Sequence, residues 1–283
     1  MTDRSVLVTG ASSGIGEACA LHLAARGWLV FAGVRRIEDG ERVQAAASGA
    51  VEPVLLDVTD AGGVERVLAD IRTRTGGRLT AVVNNAGIAV GGPIEYLPLD
   101  DWRRQFEVNV FGQLAVTRAA LPLIRTAGSA GRVVFIGSIG GRLSTPLLAP
   151  YDASKFALEA IAESLRHELR PSGIKVVLVE PGGVKTPIWE KGRRRADEIE
   201  ASLSAEARER YGWAVAGVRK GIDMQERQGV APGRVAQVVE NALTTPRPRA
   251  RYLVGLDARA TAVVARVLPD SARDAVVRLV TRP

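Results

Sequence analysis

Tyr151 and Lys155 stand four positions apart in the stretch Tyr-Asp-Ala-Ser-Lys, and Ser138 precedes the tyrosine by 13 residues. Residues four apart are neighbours on one face of a helix, so a helix here would place the phenol beside the ammonium group. A nearby positive charge favours the phenolate, and we expect Lys155 to lower the pKa of Tyr151 from about 10 toward neutral pH. The pair predicts a general acid/base that exchanges a proton with an alcohol or carbonyl oxygen.

A glycine-rich segment lies near the start of the chain, after the strand-like run Ser5-Val6-Leu7-Val8 and before an apolar-periodic stretch. A strand, a glycine turn and a helix N-terminus in this order bind the pyrophosphate of a dinucleotide. Here Gly10 supplies the tight turn, Gly14 lets the backbone approach the pyrophosphate, and Gly16 lets helix and strand pack closely. The predicted cofactor contacts of this segment are Gly10, Ser12, Ser13, Gly14, Ile15 and Gly16.

Several motifs together resemble the short-chain dehydrogenase/reductase family in order and spacing, from about residue 4 to residue 187. They are Thr9-Gly-x-x-x-Gly-Ile-Gly16, Asn84-Asn85-Ala86-Gly87, Asn109, Ser138, Tyr151 with Lys155, and Pro181-Gly182-x-Val184-x-Thr186. The resemblance implies an NAD(P)(H)-dependent oxidoreductase that interconverts an alcohol and a ketone or aldehyde by hydride transfer. It also implies four catalytic residues: Tyr151 exchanges the proton, Ser138 hydrogen-bonds the substrate oxygen, Lys155 also orients the ribose, and Asn109 lies in a polar kink beside a water chain to Lys155.

The same resemblance implies further cofactor contacts. Asp57 and Val58 would contact the adenine; the ribose and nicotinamide would be contacted by Asn84, Ala86, Gly87, Tyr151, Lys155, Pro181, Gly182, Val184 and Thr186. Some of these residues have other ordinary roles. Asp57 could instead cap a helix or turn, the Asn84 motif is partly architectural, and Asn109 could be exposed or locally bonded.

The choice of cofactor depends on the end of the second predicted strand, where Val34 and then Arg35 stand. NAD-binding enzymes usually carry a carboxylate at this point for the ribose 2′-hydroxyl. A guanidinium instead suits a 2′-phosphate, and Ser13 could add a hydrogen bond. We therefore expect NADP(H), and NAD(H) remains open because Glu38 and Asp39 follow, although acids are also ordinary at a helix start.

The order of apolar patterns predicts one domain spanning residues 1–283. Strands are predicted at 5–9, 29–34, 51–56, 79–84, 131–137, 174–180 and 251–255, with helices between most of them. Their near-continuous apolar runs are typical of a parallel sheet covered on both faces. The fold class is therefore α/β, a doubly wound parallel-sheet Rossmann fold. By family resemblance, the long connection at 187–230 is a substrate lid.

Composition limits the other possibilities. The net charge of +7 comes from scattered arginines, and the dense run Arg193-Arg194-Arg195 is interpreted as a solvent-facing surface, so no nucleic-acid partner is expected. The two histidines, His22 and His167, lie far apart, and no metal site is expected. The single cysteine, Cys19, permits no intrachain disulfide, and the start of the chain has no apolar signal core, so a cytoplasmic location is expected.

Apolar residues indicate a small lipophilic alcohol or carbonyl substrate. They lie in the lid and in the segment after Ser138, and they are Ile188, Trp189, Trp213, Val215, Leu143, Pro146, Leu147 and Leu148. The aromatic residues among them could equally be ordinary core anchors. Residues 30–36 and 251–255 are similar to the branch that contains steroid and retinol dehydrogenases, a likeness that assigns no substrate.

The last segment, 257–283, reads as an amphipathic helical extension. Packing over the substrate pocket or a partner subunit is its ordinary role, and contact with an anionic membrane surface is the alternative. Many relatives assemble through the helices that carry Asn109 and Tyr151, which implies a homodimer or homotetramer. Two other functions stay open on the same fold: a nucleotide-sensing regulator without turnover, and an epimerase or dehydratase.

Overall fold

Seven strands form one parallel sheet in the computed structural model, which describes residues 4–281. The strands are β1 (Ser5–Thr9), β2 (Leu29–Val34), β3 (Val51–Leu55), β4 (Ala81–Asn84), β5 (Arg132–Ile136), β6 (Lys175–Pro181) and β7 (Arg251–Val254). Their spatial order is β3-β2-β1-β4-β5-β6-β7. All seven predicted strands are present, and their observed ends differ from the predicted ones by at most two residues. Residues 1–3 and 282–283 of the predicted domain lie outside the described residues.

Eleven helices lie within the described part of the chain. They are α1 (Gly14–Ala25), α2 (Ile37–Ala46), α3 (Ala61–Arg74), α4 (Leu99–Phe106), α5 (Gln113–Arg125), α6 (Ala149–Glu168), α7 (Ile188–Ser202), α8 (Ala205–Gln228), α9 (Pro232–Thr244), α10 (Leu256–Val267) and α11 (Asp270–Thr281). A π-helical segment, Glu107–Gly112, joins α4 to α5 without a break. The predicted C-terminal helix pair is therefore confirmed as α10 and α11.

The core lies on both faces of the sheet. Because successive strand residues point to opposite faces, Val6 and Val8 of β1 pack with α1 and α9, while Leu7 packs with α3, α5 and α6. All three of these β1 side chains are fully buried. This arrangement confirms the predicted doubly wound Rossmann fold.

The strand order reverses between β1 and β4. From β1 the chain runs outward to β2 and β3, and it then returns to β4 on the other side of β1. At such a switch point the loops that leave neighbouring strands separate, and ligands bind in the crevice outside the carboxyl ends of the strands. The segments that follow β1 and β4 are the glycine-rich segment and the Asn-Asn-Ala-Gly motif.

The long connection between β6 and β7 is mostly helical. Helices α7 and α8 pack against each other, and Arg193 of α7 forms ion pairs of 2.7 Å with Asp223 and 2.6 Å with Glu226, both in α8. These ion pairs join the two helices, while the Arg193 side chain stays 39% exposed, in agreement with the solvent-facing interpretation at this position. Within residues 4–281, no helix combines the length and apolar character needed to span a membrane.

A row of four buried polar side chains, Gln105, Asn109, Gln113 and Thr117, follows one face of the continuous helix from α4 to α5. We call this row the polar ladder. The ladder forms hydrogen bonds with every second residue of the chain segment that follows β4. Gln105 accepts from Val90 N at 2.7 Å; Asn109 accepts from Ile88 N at 2.8 Å; Gln113 donates to Ala86 O at 2.9 Å; and Thr117 accepts from the Asn84 side chain at 2.8 Å.

The spacing of the polar ladder matches the chain that it holds. Four residues of helix rise about 6 Å, and two residues of extended chain advance about 6.6 Å. In a regular α-helix each step of four residues would also rotate the side chain by about 40°. The π-helical segment has a wider turn, which brings residues four apart closer to one full turn. The π-helical segment therefore keeps the ladder side chains aligned with the loop residues that they bind.

Replacing Gln105 by leucine should destabilise the protein, because Val90 N–H, which is buried, then loses its acceptor. We expect the free energy of unfolding to fall by about 2 to 3 kcal/mol. Denaturant titration would measure this change. The control is Gln237→Leu, at an exposed glutamine of α9, which should change the free energy by less than about 0.5 kcal/mol. Equal effects of the two substitutions would contradict the ladder's structural role.

Candidate active site

Helix α6 and the end of β5 bring the predicted catalytic side chains together. Tyr151 lies in the first turn of α6 and Lys155 one turn later, with its Nζ 5.7 Å from the centre of the Tyr151 ring. Ser138 follows β5 and begins a short 3₁₀ segment, Ile139–Gly141, by accepting a hydrogen bond of 3.1 Å from Gly140 N. The Ser138 hydroxyl lies close enough to Tyr151 to influence the ionisation of its phenol.

Lys155 is buried between α6 and the sheet. Its Nζ donates to the carbonyl oxygen of Ile136, the last residue of β5, at 2.9 Å. Removal of the ammonium group from water lowers its pKa to about 8. At neutral pH the side chain is therefore still mostly charged, and it is held in place by the sheet.

The Tyr151 hydroxyl has a raised pKa of about 12. Burial is the main cause of the rise; the neighbouring Ser138 hydroxyl lowers the pKa, and the charge of Asp152 raises it further. The structure thus differs from the expected lowering by Lys155, because burial disfavours the charged phenolate. At neutral pH Tyr151 is protonated and able to donate its proton.

Asp152 is a second buried acid beside Tyr151 that the sequence interpretation missed. One of its oxygens accepts from Thr145 N at 2.8 Å, and this bond fixes the segment between Ser138 and α6. Burial raises the pKa of Asp152 to about 7, although the hydrogen bond from Thr145 opposes the rise. Its position next to the tyrosine in the sequence was the signal available for finding it.

Asn109 lies in the π-helical segment and is fully buried, which excludes the exposed alternative. Its side chain accepts from Ile88 N and donates to Ile88 O at 3.0 Å, and it also donates to Ser154 Oγ at 3.1 Å. Asn109 therefore lies where the helix is π rather than α, and the local bonding that the sequence left open is present. Its side chain, however, contacts the loop and Ser154, rather than Lys155.

Ser154 joins the polar ladder to the catalytic helix, and the sequence interpretation missed it. Its hydroxyl donates to the carbonyl oxygen of Tyr151 at 2.6 Å and accepts from Asn109 and, at 3.4 Å, from Gln105. The available signal was the repeat of polar residues every four positions from 105 to 117, in a helix that otherwise packs on the core.

The glycine-rich segment has the geometry of a dinucleotide cradle. Gly10 and Gly14 adopt positive φ values of 64° and 60°, and a Cβ built on Gly16 would collide with the carbonyl oxygen of Gly10. Helix α1 begins at Gly14, directly after Ser13, so its N-terminus faces the crevice. Ser12 and Ile15 complete the segment. The backbone can therefore approach a pyrophosphate where the helix dipole favours negative charge.

Asn85, another residue that the sequence interpretation did not select, ties the cradle to β4. Its side chain donates to Thr9 O at 2.9 Å and to Gly10 O at 3.1 Å. The Thr9 hydroxyl in turn accepts from Asn85 N and Ala86 N, each at 3.0 Å. These bonds fix the two loops of the switch point to each other, and the Asn-Asn-Ala-Gly motif was the available signal.

The prediction that Asn84 contacts the cofactor needs correction. Its side chain is fully buried and donates to Thr117, on the side of the sheet that faces α5. Asn84 is therefore architectural, because a ligand in the crevice cannot reach this side chain. Ala86 and Gly87, which follow it, remain accessible at the carboxyl edge of β4.

Arg35 and Asp57, the residues predicted for the adenosine end of the cofactor, both line a cavity of about 510 Å³ beside β3 and α3. Asp57 accepts from the backbone and hydroxyl of Thr59 at 2.9 and 2.7 Å, so the turn role left open in the sequence is present. Burial alone would raise the Asp57 pKa, but these two bonds and the charge of Arg35 lower it. Val58 is buried against Gly112.

Acidic residues near Arg35 have partners or roles of their own. Glu38 and Asp39 lie in the first turn of α2, as the helix-start alternative predicted. Asp39 is bound by Arg36 through two hydrogen bonds of 3.0 and 3.1 Å. Arg35 directly follows the end of β2, and its side chain is exposed. Asp39 forms its hydrogen bonds with Arg36, so they do not engage the Arg35 guanidinium.

The segment after β6 closes the crevice on the opposite side. Beyond Pro181 and Gly182, Val184 pairs with Val230, and Thr186 reaches the glycine-rich segment, where a Cβ built on Gly14 would lie 3.1 Å from it. The structure therefore brings Gly14 and Thr186 to the same narrow passage. Among the described residues, no group of three or more His, Cys, Asp or Glu side chains is arranged to hold a metal ion.

A buried ionic network lies behind the catalytic residues. Arg142, in the segment after Ser138, binds Glu180 of β6 at 2.8 Å, and Arg251 binds Glu159 of α6 at 2.8 Å. Burial is the main cause that raises the Glu159 pKa to about 7, and the neighbouring Glu180 carboxylate raises it further. The network fixes the ends of β6 and β7 relative to α6.

Comparison with known proteins agrees with this geometry. The family model described as short chain dehydrogenase matches residues 4–197. The chain is 36% identical over 255 residues to an NADPH-dependent 3-dehydrocapnine reductase of Ornithobacterium rhinotracheale, covering 89% of this chain and 88% of that protein. It is 35% identical over 288 residues to retinol dehydrogenase 5 of Mus musculus, covering 98% and 88% of the two chains.

Solved structures give the same result. A short-chain dehydrogenase from Streptomyces avermitilis matches with a TM-score of 0.78 and 32% identity, over 98% of this chain and 96% of that one. A short-chain dehydrogenase/reductase from Burkholderia phymatum in complex with NAD matches with a TM-score of 0.77 and 26% identity, over 92% of each chain. The regulator, epimerase and dehydratase alternatives are not favoured. With its Rossmann sheet, glycine cradle and Ser138, Tyr151 and Lys155 cluster, the chain belongs to the short-chain dehydrogenase/reductase family, as an NAD(P)-dependent oxidoreductase that interconverts alcohols and carbonyl compounds.

Proposed function

We propose that the protein is an NADP(H)-dependent reductase of a small lipophilic ketone or aldehyde, with Tyr151 as the proton donor. The observation that carries the proposal is the position of Lys155, whose Nζ lies 5.7 Å from the centre of the Tyr151 ring and is fixed to Ile136 O at 2.9 Å. A pKa of about 12 keeps the Tyr151 hydroxyl protonated at neutral pH, which suits donation to a carbonyl oxygen.

In the proposed mechanism, the nicotinamide cofactor, when bound, supplies the hydride that reduces the carbonyl carbon. Tyr151 and Ser138 hold the carbonyl oxygen between two hydroxyl groups, and Tyr151 transfers its proton to that oxygen. The charge of Lys155 then stabilises the phenolate that remains. Lys155 and Tyr151 also hold the ribose. The polar ladder, which includes Asn109, keeps the loop after β4 in place beside these two residues. Oxidation of an alcohol follows the same path in reverse.

The proposed cofactor contacts follow the crevice from one end to the other. Arg35 would bind the 2′-phosphate with help from Ser13, and Asp57 and Val58 would border the adenine. The pyrophosphate would lie on the cradle from Gly10 to Gly16, and the riboses beside Ala86 and Gly87. Val184 and Thr186 would hold the carboxamide of the nicotinamide, where Pro181 and Gly182 turn the chain. The relative named as an NADPH-dependent reductase supports the choice of NADP(H).

The lipophilic substrate is proposed from the segment between Ser138 and α6. Leu143, Pro146, Leu147 and Leu148 are partly buried there, and Leu147 adopts a positive φ of 67°, which is strained for a leucine. The relative named as a retinol dehydrogenase supports an apolar substrate. Val215 is buried and Trp213 is about half exposed, so neither supports the proposed pocket; the Trp189 side chain lies outside the described residues.

We propose that 187–230 is the lid over this substrate. Tyr211 of α8 donates to Glu95 at 2.8 Å, and its ring contacts Tyr96 edge-on, with the ring centres 5.9 Å apart. These contacts join the lid to the loop between β4 and α4. The extension at 257–283 packs in part on the lid, because Thr281 of α11 lies against Gly217 of α8. Packing rather than membrane contact is therefore the proposed role of α11.

A cytoplasmic location is proposed from cysteine usage. The sequence contains a single cysteine, the fully buried Cys19, so the fold uses no intrachain disulfide, as is usual for proteins of a reducing compartment. No nucleic-acid partner is proposed, because arginines such as Arg74, Arg193 and Arg219 form ion pairs with neighbouring acids.

Replacing Tyr151 by phenylalanine should lower kcat for carbonyl reduction by at least about 100-fold, because the proton donor is removed. The Kd of NADPH should change less than about twofold, since the aromatic ring remains. Tyr252→Phe removes a hydroxyl that accepts from Arg249 N, away from the site, and serves as the control. Steady-state kinetics and calorimetry would measure both quantities, and full activity in Tyr151→Phe would remove this residue from the mechanism.

Replacing Arg35 by alanine should weaken NADPH binding by about 1.5 to 3 kcal/mol and leave NADH binding nearly unchanged, because NADH has no 2′-phosphate. The matched control is Arg36→Ala, whose guanidinium is engaged by Asp39. Calorimetric titration with both cofactors would measure the difference. If NADH binds more tightly than NADPH to the unaltered protein, Glu38 or Asp39 becomes the expected ribose ligand.

We propose a homodimer or homotetramer built on the helices that carry Asn109 and Tyr151. Phe111 and Phe156 on these helices are 55% and 43% exposed, which is unusual for phenylalanine. Glutamate at both positions should give a smaller particle by light scattering. Leu256→Glu, on α10, is the control and should leave the particle unchanged. A monomeric unaltered protein, or an unchanged double variant, would contradict the proposal.

A further inference from the structure

Asp257, in the first turn of α10, binds the segment that closes the crevice after β6. Its Oδ2 accepts from the N–H of Gly183 at 2.6 Å, across 74 positions of the chain. A hydrogen bond from an amide to a carboxylate is shorter and stronger than a neutral one. The negative charge is also favoured at this place, because it stands at the N-terminus of α10.

Main-chain bonds also anchor this segment. Gly182 N donates to Val254 O at 3.0 Å, Val230 N donates to Gly183 O at 2.9 Å, and Lys185 N donates to Val230 O at 2.9 Å. Because both partners are backbone atoms, side-chain substitutions in this segment do not remove these bonds. A Cβ on Gly182 would collide with the Asp257 carboxylate, so the glycine permits the close approach. Asp257 is thus a side-chain anchor that substitution can remove.

We infer that Asp257 is a positioning residue for the nicotinamide end of the cofactor, and that the C-terminal extension therefore contributes to cofactor binding. The inference rests on the proposed function, in which Val184 and Thr186 hold the carboxamide. Both residues lie within three positions of Gly183, so a displaced Gly183 would move them. The adenosine end of the crevice, at Arg35 and Asp57, has no contact with this anchor and should not respond.

The test compares Asp257→Ala and Asp257→Asn with the control Asp274→Ala, at an exposed carboxylate of α11. Each protein is titrated calorimetrically with NADPH and NADH, and with the nicotinamide-free fragments adenosine 2′,5′-bisphosphate and ADP-ribose. Asp257→Ala should weaken binding of the preferred cofactor about tenfold and change fragment binding less than about twofold. Asp257→Asn should stay within about threefold of the unaltered protein, because its amide oxygen still accepts from Gly183.

Two results would overturn the inference: unchanged cofactor binding in Asp257→Ala, or equal losses for cofactor and fragments. If Asp257→Ala does not fold, hydrogen exchange in the unaltered protein decides, because the Gly183 amide should be protected at least tenfold more than the Gly233 amide at the start of α9. Rapid exchange at Gly183 would then overturn the inference. An unaltered protein that binds neither cofactor would contradict the proposed function instead.

Discussion

The polar ladder is the interaction on which the arrangement of the site depends. A loop that leaves a parallel strand loses its strand partners, and its buried N–H and C=O groups then need other hydrogen bonds. Gln105, Asn109 and Gln113 supply these bonds from one helix face, and Ser154 extends them to α6. The same helix therefore sets the position of the loop beside the proposed cofactor site and of the helix that carries Tyr151.

Burial is the main electrostatic influence at the site. It raises the pKa of Tyr151 to about 12 and of Asp152 to about 7, and it lowers that of Lys155 to about 8. Each shift favours the uncharged form, as expected where water is excluded. A proton taken from Tyr151 thus creates a charge that the surroundings solvate poorly, and Lys155 is the cation placed to compensate it. Access of substrate to this region and exclusion of water from it are consequently linked.

The fold could be predicted from the sequence because its signals are local. Apolar strand runs gave the sheet, and the four-residue spacing of Tyr151 and Lys155 gave their common helix face. The polar ladder was missed because most of its partners are backbone atoms 15 to 27 positions away, which the four-residue repeat of polar side chains does not identify. The shift of the Tyr151 pKa was predicted in the wrong direction. The sequence shows which charges are nearby, but it does not show how far the phenol is removed from water. Asn84 was assigned to the cofactor because its motif does not reveal which face of the sheet its side chain occupies.

Cys19 has a practical consequence for experiments on this protein. Its thiol is fully buried in α1, and its pKa of about 12 leaves almost no thiolate at neutral pH. The sequence contains one cysteine, so maleimide reagents have no reactive native target in the folded protein. A cysteine introduced on the exposed side of α8 would accept a fluorescent or spin label selectively. Opening and closing of this helix could thus be followed spectroscopically without first removing a native thiol.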